Sequence, residues 1–164
     1  MSTAERNSGT IGKKHLADLA WKKFALVVSE WNEDVTESLF QGAYDTLVRF
    51  GVRKENILRR NVPGSFELSF GAQLCAQEKV IDAVICLGCI IQGETRHFEF
   101  ICQSVAQGLK DVSLKFNKPV IFGVLTTDNK QQAFDRAGGK FGNKGEESAI
   151  AAIKMLGLIK DISN

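Results

Sequence analysis

The chain has 164 residues, is 44% hydrophobic and 24% charged, and carries a net charge of +2. That length supports one domain around one sizeable core, and that composition leaves no large disordered part. The near-neutral balance gives no electrostatic case for binding nucleic acid or a membrane surface, and no apolar run approaches the ~18 residues that span a bilayer.

Residues 1–20 open MSTAERNSGTIGKK, polar and without periodicity, and read as an N-terminal arm. They lack the apolar stretch of a secretory signal, so the expected compartment is the cytoplasm. His15, set among lysines, reads as a solvated residue and not a ligand. Residues 21–164 are expected to form a single α/β domain. FALVVS (24–29) is an apolar strand, followed by the loop Glu30-Trp31-Asn32. Asn32 is a good N-cap for a helix on which Val35, Leu39, Ala43 and Leu47 recur every four residues, with Gly51 as its stop. ILRRNV (57–62) is a second strand, broken by Pro63-Gly64. A helix is expected from Ser65 to about Gln77, and a buried third strand over 81–87. A loop holding Gly88 and Gly93 leads to a long helix over 97–116, apolar along Phe98, Ile101, Cys102, Val105, Leu109, Val112 and Phe116. A fourth strand covers 119–126, then a turn over 127–129 and a short helix over 131–137. A glycine-rich turn (138–145) precedes a last helix over 146–156. Strand and helix alternate four times, which points to right-handed crossovers and a flavodoxin-like, three-layer α/β/α sandwich with a four-stranded parallel sheet.

In such folds ligands bind where loops leave the carboxyl ends of the strands. Three loops there carry suitable side chains. Trp31 offers a flat face for stacking on a heteroaromatic ring, with helix packing as the alternative. Glu67 can accept ligand hydroxyls or face water as a first-turn carboxylate. His97, at a strand-to-helix turn beside Glu94 and Thr95, offers an imidazole for proton transfer, against an ordinary structural role. Arg136, Lys140 and Lys144 place cations around the glycine-rich turn, where a phosphate or anionic ring can bind, unless they form a solvated face. No G-x-G-x-x-G and no Gly-Lys followed by Ser or Thr occurs, which disfavours NAD and nucleoside triphosphates. Cys86 and Cys89 form a C-x-x-C, but a spacing of three on one strand points the thiols to opposite faces. With Cys75 and Cys102 they read as buried structural thiols, and no metal site is expected.

Trp31-Asn32, VPGSFE (62–67), GCIIQGETRHF (88–98), FGVLTT (122–127), Arg136-Ala137-Gly138 and GNKG (142–145) resemble the 6,7-dimethyl-8-ribityllumazine synthase family of riboflavin biosynthesis. The resemblance runs from about Phe24 to Met155. It implies condensation of 5-amino-6-(D-ribitylamino)uracil with 3,4-dihydroxy-2-butanone 4-phosphate to give the lumazine, phosphate and water, with no cofactor. It further implies that Trp31 is the ring-stacking aromatic, where phenylalanine is commoner, with Asn32 beside it. Ser65, Phe66 and Glu67 would hold the ribityl chain, Ser65 standing where alanine is common. Cys89, Ile90 and Ile91 would meet the pyrimidine through their backbone. Glu94 and Thr95 would lie near the four-carbon phosphate, and His97 would transfer protons. Phe122 would reach a neighbouring subunit's site, Arg136 would bind phosphate and Lys144 would lie near the pyrimidine. Members form pentamers with sites between subunits, and some pack pentamers into a hollow icosahedral shell; riboflavin synthase is a possible partner. The competing readings are a non-catalytic lumazine- or flavin-binding protein and a structural cage subunit.

Overall fold

The computed structural model describes residues 19–163. The expectations for the greater part of the arm, His15 included, lie outside the described residues. The arm's last residues are anchored: Leu19–Trp21 form a 3-10 turn whose Leu19 is buried, and the Ala20 carbonyl accepts a bond from Asn56 Nδ2 at 2.9 Å.

The chain alternates β1 (Phe24–Ser29), α1 (Glu33–Arg49), β2 (Ile57–Val62), α2 (Leu68–Gln77), β3 (Ala83–Ile91), α3 (His97–Phe116), β4 (Val120–Thr127) and α4 (Lys130–Arg136). A small hairpin of β5 (Ala137–Gly139) and β6 (Gly142–Asn143) then leads to α5 (Lys144–Ser163). The main sheet has the order β2-β1-β3-β4, and every pair in it is parallel. This is the expected flavodoxin-like class.

Residue type decides each strand's place. β1 and β3 are nearly continuous apolar runs and fill the centre, buried on both faces. β2 carries Arg59, Arg60 and Asn61 and takes an edge, where charge is tolerated and discourages further pairing. One apolar cluster joins Leu26, Ile85 and Leu87 to Leu39 and Leu47 of α1 and Ile153 of α5. The other joins Val27, Val84 and Cys86 to Leu68 of α2 and Val105 and Leu109 of α3. Cys86 and Cys89 fall in different clusters, as their spacing requires. Burial drives the Cys86 thiol far above its usual range and pushes Cys89 up to about 12, so neither is a thiolate at neutral pH.

Several boundaries differ from those expected. β3 starts at Ala83 and runs on to Ile91, so Gly88 lies inside the strand and the loop shrinks to 92–96. α2 begins at Leu68, after a turn that holds Ser65, Phe66 and Glu67. β4 and α4 are shifted by one residue. The glycine-rich turn folds into the antiparallel β5–β6 pair. α5 opens at Lys144 and continues past 156, its Gly157 buried within the helix and not ending it. Its entry over α1 is tight: a Cβ at Gly145 would run into the Leu39 carbonyl, while Asn143 Nδ2 donates to the Ser38 carbonyl at 2.8 Å.

Candidate active site

Parallel register brings the carboxyl ends of β1, β2 and β3 to one edge, and β3 overshoots β1 from Gly88 onward. The overshoot makes a floor from Cys89, Ile90 and Ile91, the first two buried. Asn32 bridges to it: its Nδ2 donates to the Cys89 carbonyl at 2.9 Å. Asn32 sits at the N-cap position with φ 60°, ψ 47°, and its side chain makes no capping bond. Its expected capping role is therefore corrected. The short amide tolerates the left-handed backbone and ties the β1–α1 turn to β3. Trp31 N donates to the Pro63 carbonyl at 3.2 Å, which secures the turn to the β2–α2 segment as well. The Trp31 ring stays 73% exposed, so it is a presented face and not a packing side chain.

The β2–α2 turn supplies the second wall. Ser65 is buried, and its Oγ has no hydrogen-bond partner. Gly88 makes room for it: a Cβ there would stand 2.7 Å from Ser65 Oγ and 2.9 Å from Leu68 Cδ1. Phe66 is 54% exposed, and Glu67 is exposed beside it. His97 opens α3 and is exposed; its backbone N–H reaches Thr95 Oγ1 at 3.5 Å.

These parts enclose a cleft of about 310 Å3 lined by the Trp31–Asn32 turn, Gly64 to Glu67, Cys89 to Ile91, and His97 with Ile101. That volume is at the lower end of the ~300–1,000 Å3 typical of small-molecule sites. Ile101 was missed as a wall; its place one helical turn after His97 was the available signal. Glu94 and Thr95 are exposed in the loop and do not line the cleft. A broader depression of about 730 Å3 lies further along α3, lined by Gln103, Ser104, Ala106, Gln107 and Lys110, with no aromatic face.

Phe122, Arg136 and Lys144 also stand outside the cleft of their own chain. Phe122 is 36% exposed on β4, the edge strand opposite β2. Arg136 Nη1 donates to the Phe141 carbonyl at 2.6 Å, and its Nη2 meets Glu147 at 2.8 Å. Lys144 Nζ lies 3.2 Å from the same carboxylate. Sequence reasoning passed over Glu147, because it left Lys144 in the turn before a helix starting at 146, and the i,i+3 pairing arises only because α5 opens at Lys144. Among the described residues, no group of three or more His, Cys, Asp or Glu side chains is placed to hold a metal ion. No helix among them is long and apolar enough to cross a membrane.

Residues 22–160 match the family described as 6,7-dimethyl-8-ribityllumazine synthase. The chain belongs to that family. A 6,7-dimethyl-8-ribityllumazine synthase of Cytophaga hutchinsonii is 61% identical over 156 residues, covering 95% of this chain and 98% of the relative. Proteins of the same name from Christiangramia forsetii and Parabacteroides distasonis are 51% and 48% identical, each over at least 95% of this chain and 96% of the relative. As a member of the lumazine synthase family the chain is an enzyme, a transferase of riboflavin biosynthesis acting on small molecules. The readings as a non-catalytic flavin binder or a purely structural shell subunit give way to this one.

Proposed function

We propose that the cleft binds 5-amino-6-(D-ribitylamino)uracil and condenses it with 3,4-dihydroxy-2-butanone 4-phosphate, in a site completed by a neighbouring copy of the chain. The observation that carries this reading is the convergence of a presented Trp31 ring, an unpartnered buried Ser65 hydroxyl and His97 on one cleft. Trp31 stacks on the pyrimidine, and the exposed backbone edge of Cys89, Ile90 and Ile91 reads its polar rim. Ser65 and Glu67 take the ribityl hydroxyls, with Phe66 covering them. Asn32 holds the turn that presents Trp31. Glu94 and Thr95 border the phosphate end from the loop.

The uracil's amine attacks the ketone and gives an imine with loss of water. Phosphate leaves by β-elimination, the resulting enol becomes a ketone, the carbon chain swings, and the second amine adds to that ketone and closes the ring with loss of a second water. His97 relays protons between these steps, since an imidazole can donate from one ring nitrogen and accept at the other. Holding both reactants in one geometry supplies much of the acceleration.

Arg136 binds the departing phosphate, Lys144 lies near the pyrimidine, and Phe122 covers the ring; their place outside their own cleft supports a site between subunits. The assembly is a homo-oligomer built from pentamers. Residues 21–164 make the catalytic domain, with residues 1–20 as an N-terminal arm. Riboflavin synthase, which would consume the product, is a candidate partner. The cytoplasm is the proposed compartment, in keeping with free Cys75, Cys86, Cys89 and Cys102. A coupled assay tests the reading. Lumazine and inorganic phosphate should appear together only when both substrates are present, and quenching of Trp31 fluorescence should saturate with the uracil. Quenching without turnover sinks the enzymatic assignment of the cleft.

A further inference from the structure

The cation pair outside the cleft is already occupied by an anion of the chain itself. Arg136 closes α4 and Lys144 opens α5, and the β5–β6 hairpin between them brings the two side chains onto one carboxylate. Glu147 meets Arg136 Nη2 at 2.8 Å and Lys144 Nζ at 3.2 Å. The two cations are held in a notch, 24% and 23% exposed, while Glu147 covers them from the solvent side at 45%. The guanidinium does not depend on Glu147 for its position, because its Nη1 is tethered separately to the Phe141 carbonyl at 2.6 Å. Glu147 is thus a removable cover on a guanidinium fixed independently of it. A half-exposed ion pair is weak, and a glutamate on the first turns of a helix can swing into water.

We infer that Glu147 is the internal anion that the substrate phosphate displaces from Arg136, and that its return favours release of the product phosphate. This inference rests on the reading of Arg136 as the phosphate-binding residue. A phosphate carries more charge than a carboxylate and offers more acceptor oxygens to the guanidinium fork, so it wins the exchange when substrate arrives. Free phosphate left behind would saturate an uncovered Arg136. With the carboxylate competing, Arg136 holds phosphate only as tightly as turnover allows. Glu147 acts here on anion affinity and not on the reacting atoms, so its mark is selective for phosphate species.

Glu147→Gln tests this in the full-length enzyme, since the amide keeps an acceptor and loses the charge. Inorganic phosphate should then inhibit about three- to fivefold more strongly, the scale of one half-exposed ion pair. The Michaelis constant for the butanone phosphate should fall by a similar factor while that for the uracil stays put. Glu147→Asp, which restores the charge, should return phosphate inhibition to the wild-type level. The difference between wild type and the glutamine variant should shrink as salt is added. Unchanged or weaker phosphate inhibition in Glu147→Gln overturns the inference. Arg136→Ala run in parallel separates the two levels. If it leaves phosphate inhibition unaltered, the assignment of Arg136 is wrong. If it abolishes inhibition while Glu147→Gln changes nothing, only the role of Glu147 is wrong.

Discussion

The His97 imidazole opens on the cleft from the first position of α3, within reach of whatever lies against Trp31 and Ile90. His97→Ala should slow single-turnover lumazine formation about tenfold, below the ~10²–10⁴ that general acid–base groups commonly supply. The loss is small because the reactants bring their own amine and ketone. Imidazole added to the buffer should restore part of the rate; an unaltered rate in the variant removes His97 from proton transfer. Ser65 separates binding from stability. Its hydroxyl is buried without a partner in the free chain, so Ser65→Ala removes a desolvated group and should leave the melting temperature level or slightly higher. The same change should raise the uracil's Michaelis constant about three- to tenfold, the worth of one hydrogen bond. A drop in stability with unaltered affinity would show that the hydroxyl serves the fold. Arg136→Lys keeps the charge and loses the planar fork, so the Michaelis constant should rise for the butanone phosphate and not for the uracil. Equal rises for both would assign Arg136 a structural role.

Among the elements, β3 and the start of α2 are fitted to each other through one missing side chain. A Cβ on Gly88 would press on Ser65 Oγ at 2.7 Å and on Leu68 Cδ1 at 2.9 Å, in a strand buried on both faces. Gly88→Ala should cost about 1–3 kcal/mol, as overpacking does, and push the β2–α2 turn outward, weakening the uracil. Adding Ser65→Ala removes one of the two contacts and should recover part of the loss by thermal denaturation; strict additivity would mean the two sites do not touch. This junction also explains what the sequence concealed. Apolar runs gave away β1 and α3 almost to the residue, because burial on one or both faces leaves a periodic trace. Gly88 was taken as part of a loop because glycine usually breaks an element, yet it sits inside β3, where Ser65 and Leu68 approach too closely for a side chain. Asn32 looked like a cap, and its bond to the Cys89 carbonyl is a contact across the fold that no local pattern encodes. The walls of the cleft were legible because they follow strand ends. The ion pairs joining Arg136, Lys144 and Glu147 were not, since they depend on a hairpin hidden in glycines.

Across the whole molecule, apolar side chains remain on the surface of the single chain. Phe70 and Leu74 of α2 are 63% and 49% exposed, and Met155, Leu158, Ile159 and Ile162 stand out along the end of α5. Exposed apolar patches mark surfaces that suit a protein partner. Ile153 is buried in the chain's own core with Leu39 and Leu47, so the covering falls to the residues after it. In the family, members that stop at pentamers often carry an insertion between the last two helices. Here α4 and α5 are joined by the compact β5–β6 hairpin, held by Asn143, whose Oδ1 accepts from Gly145 N at 2.8 Å. On the proposed pentamer this connection carries no insertion to hold one ring off the next, and the apolar end of α5 is exposed to meet a neighbour. The expected particle is therefore the icosahedral shell, by loop geometry and family analogy. Leu158→Glu and Ile162→Glu place charge on the apolar end of α5 and should shift the population toward smaller particles while leaving the far-ultraviolet circular dichroism intact. Light scattering and electron microscopy at physiological pH decide the matter: a homogeneous five-subunit wild-type particle, with nothing larger, would rule the shell out and leave the pentamer as the complete enzyme.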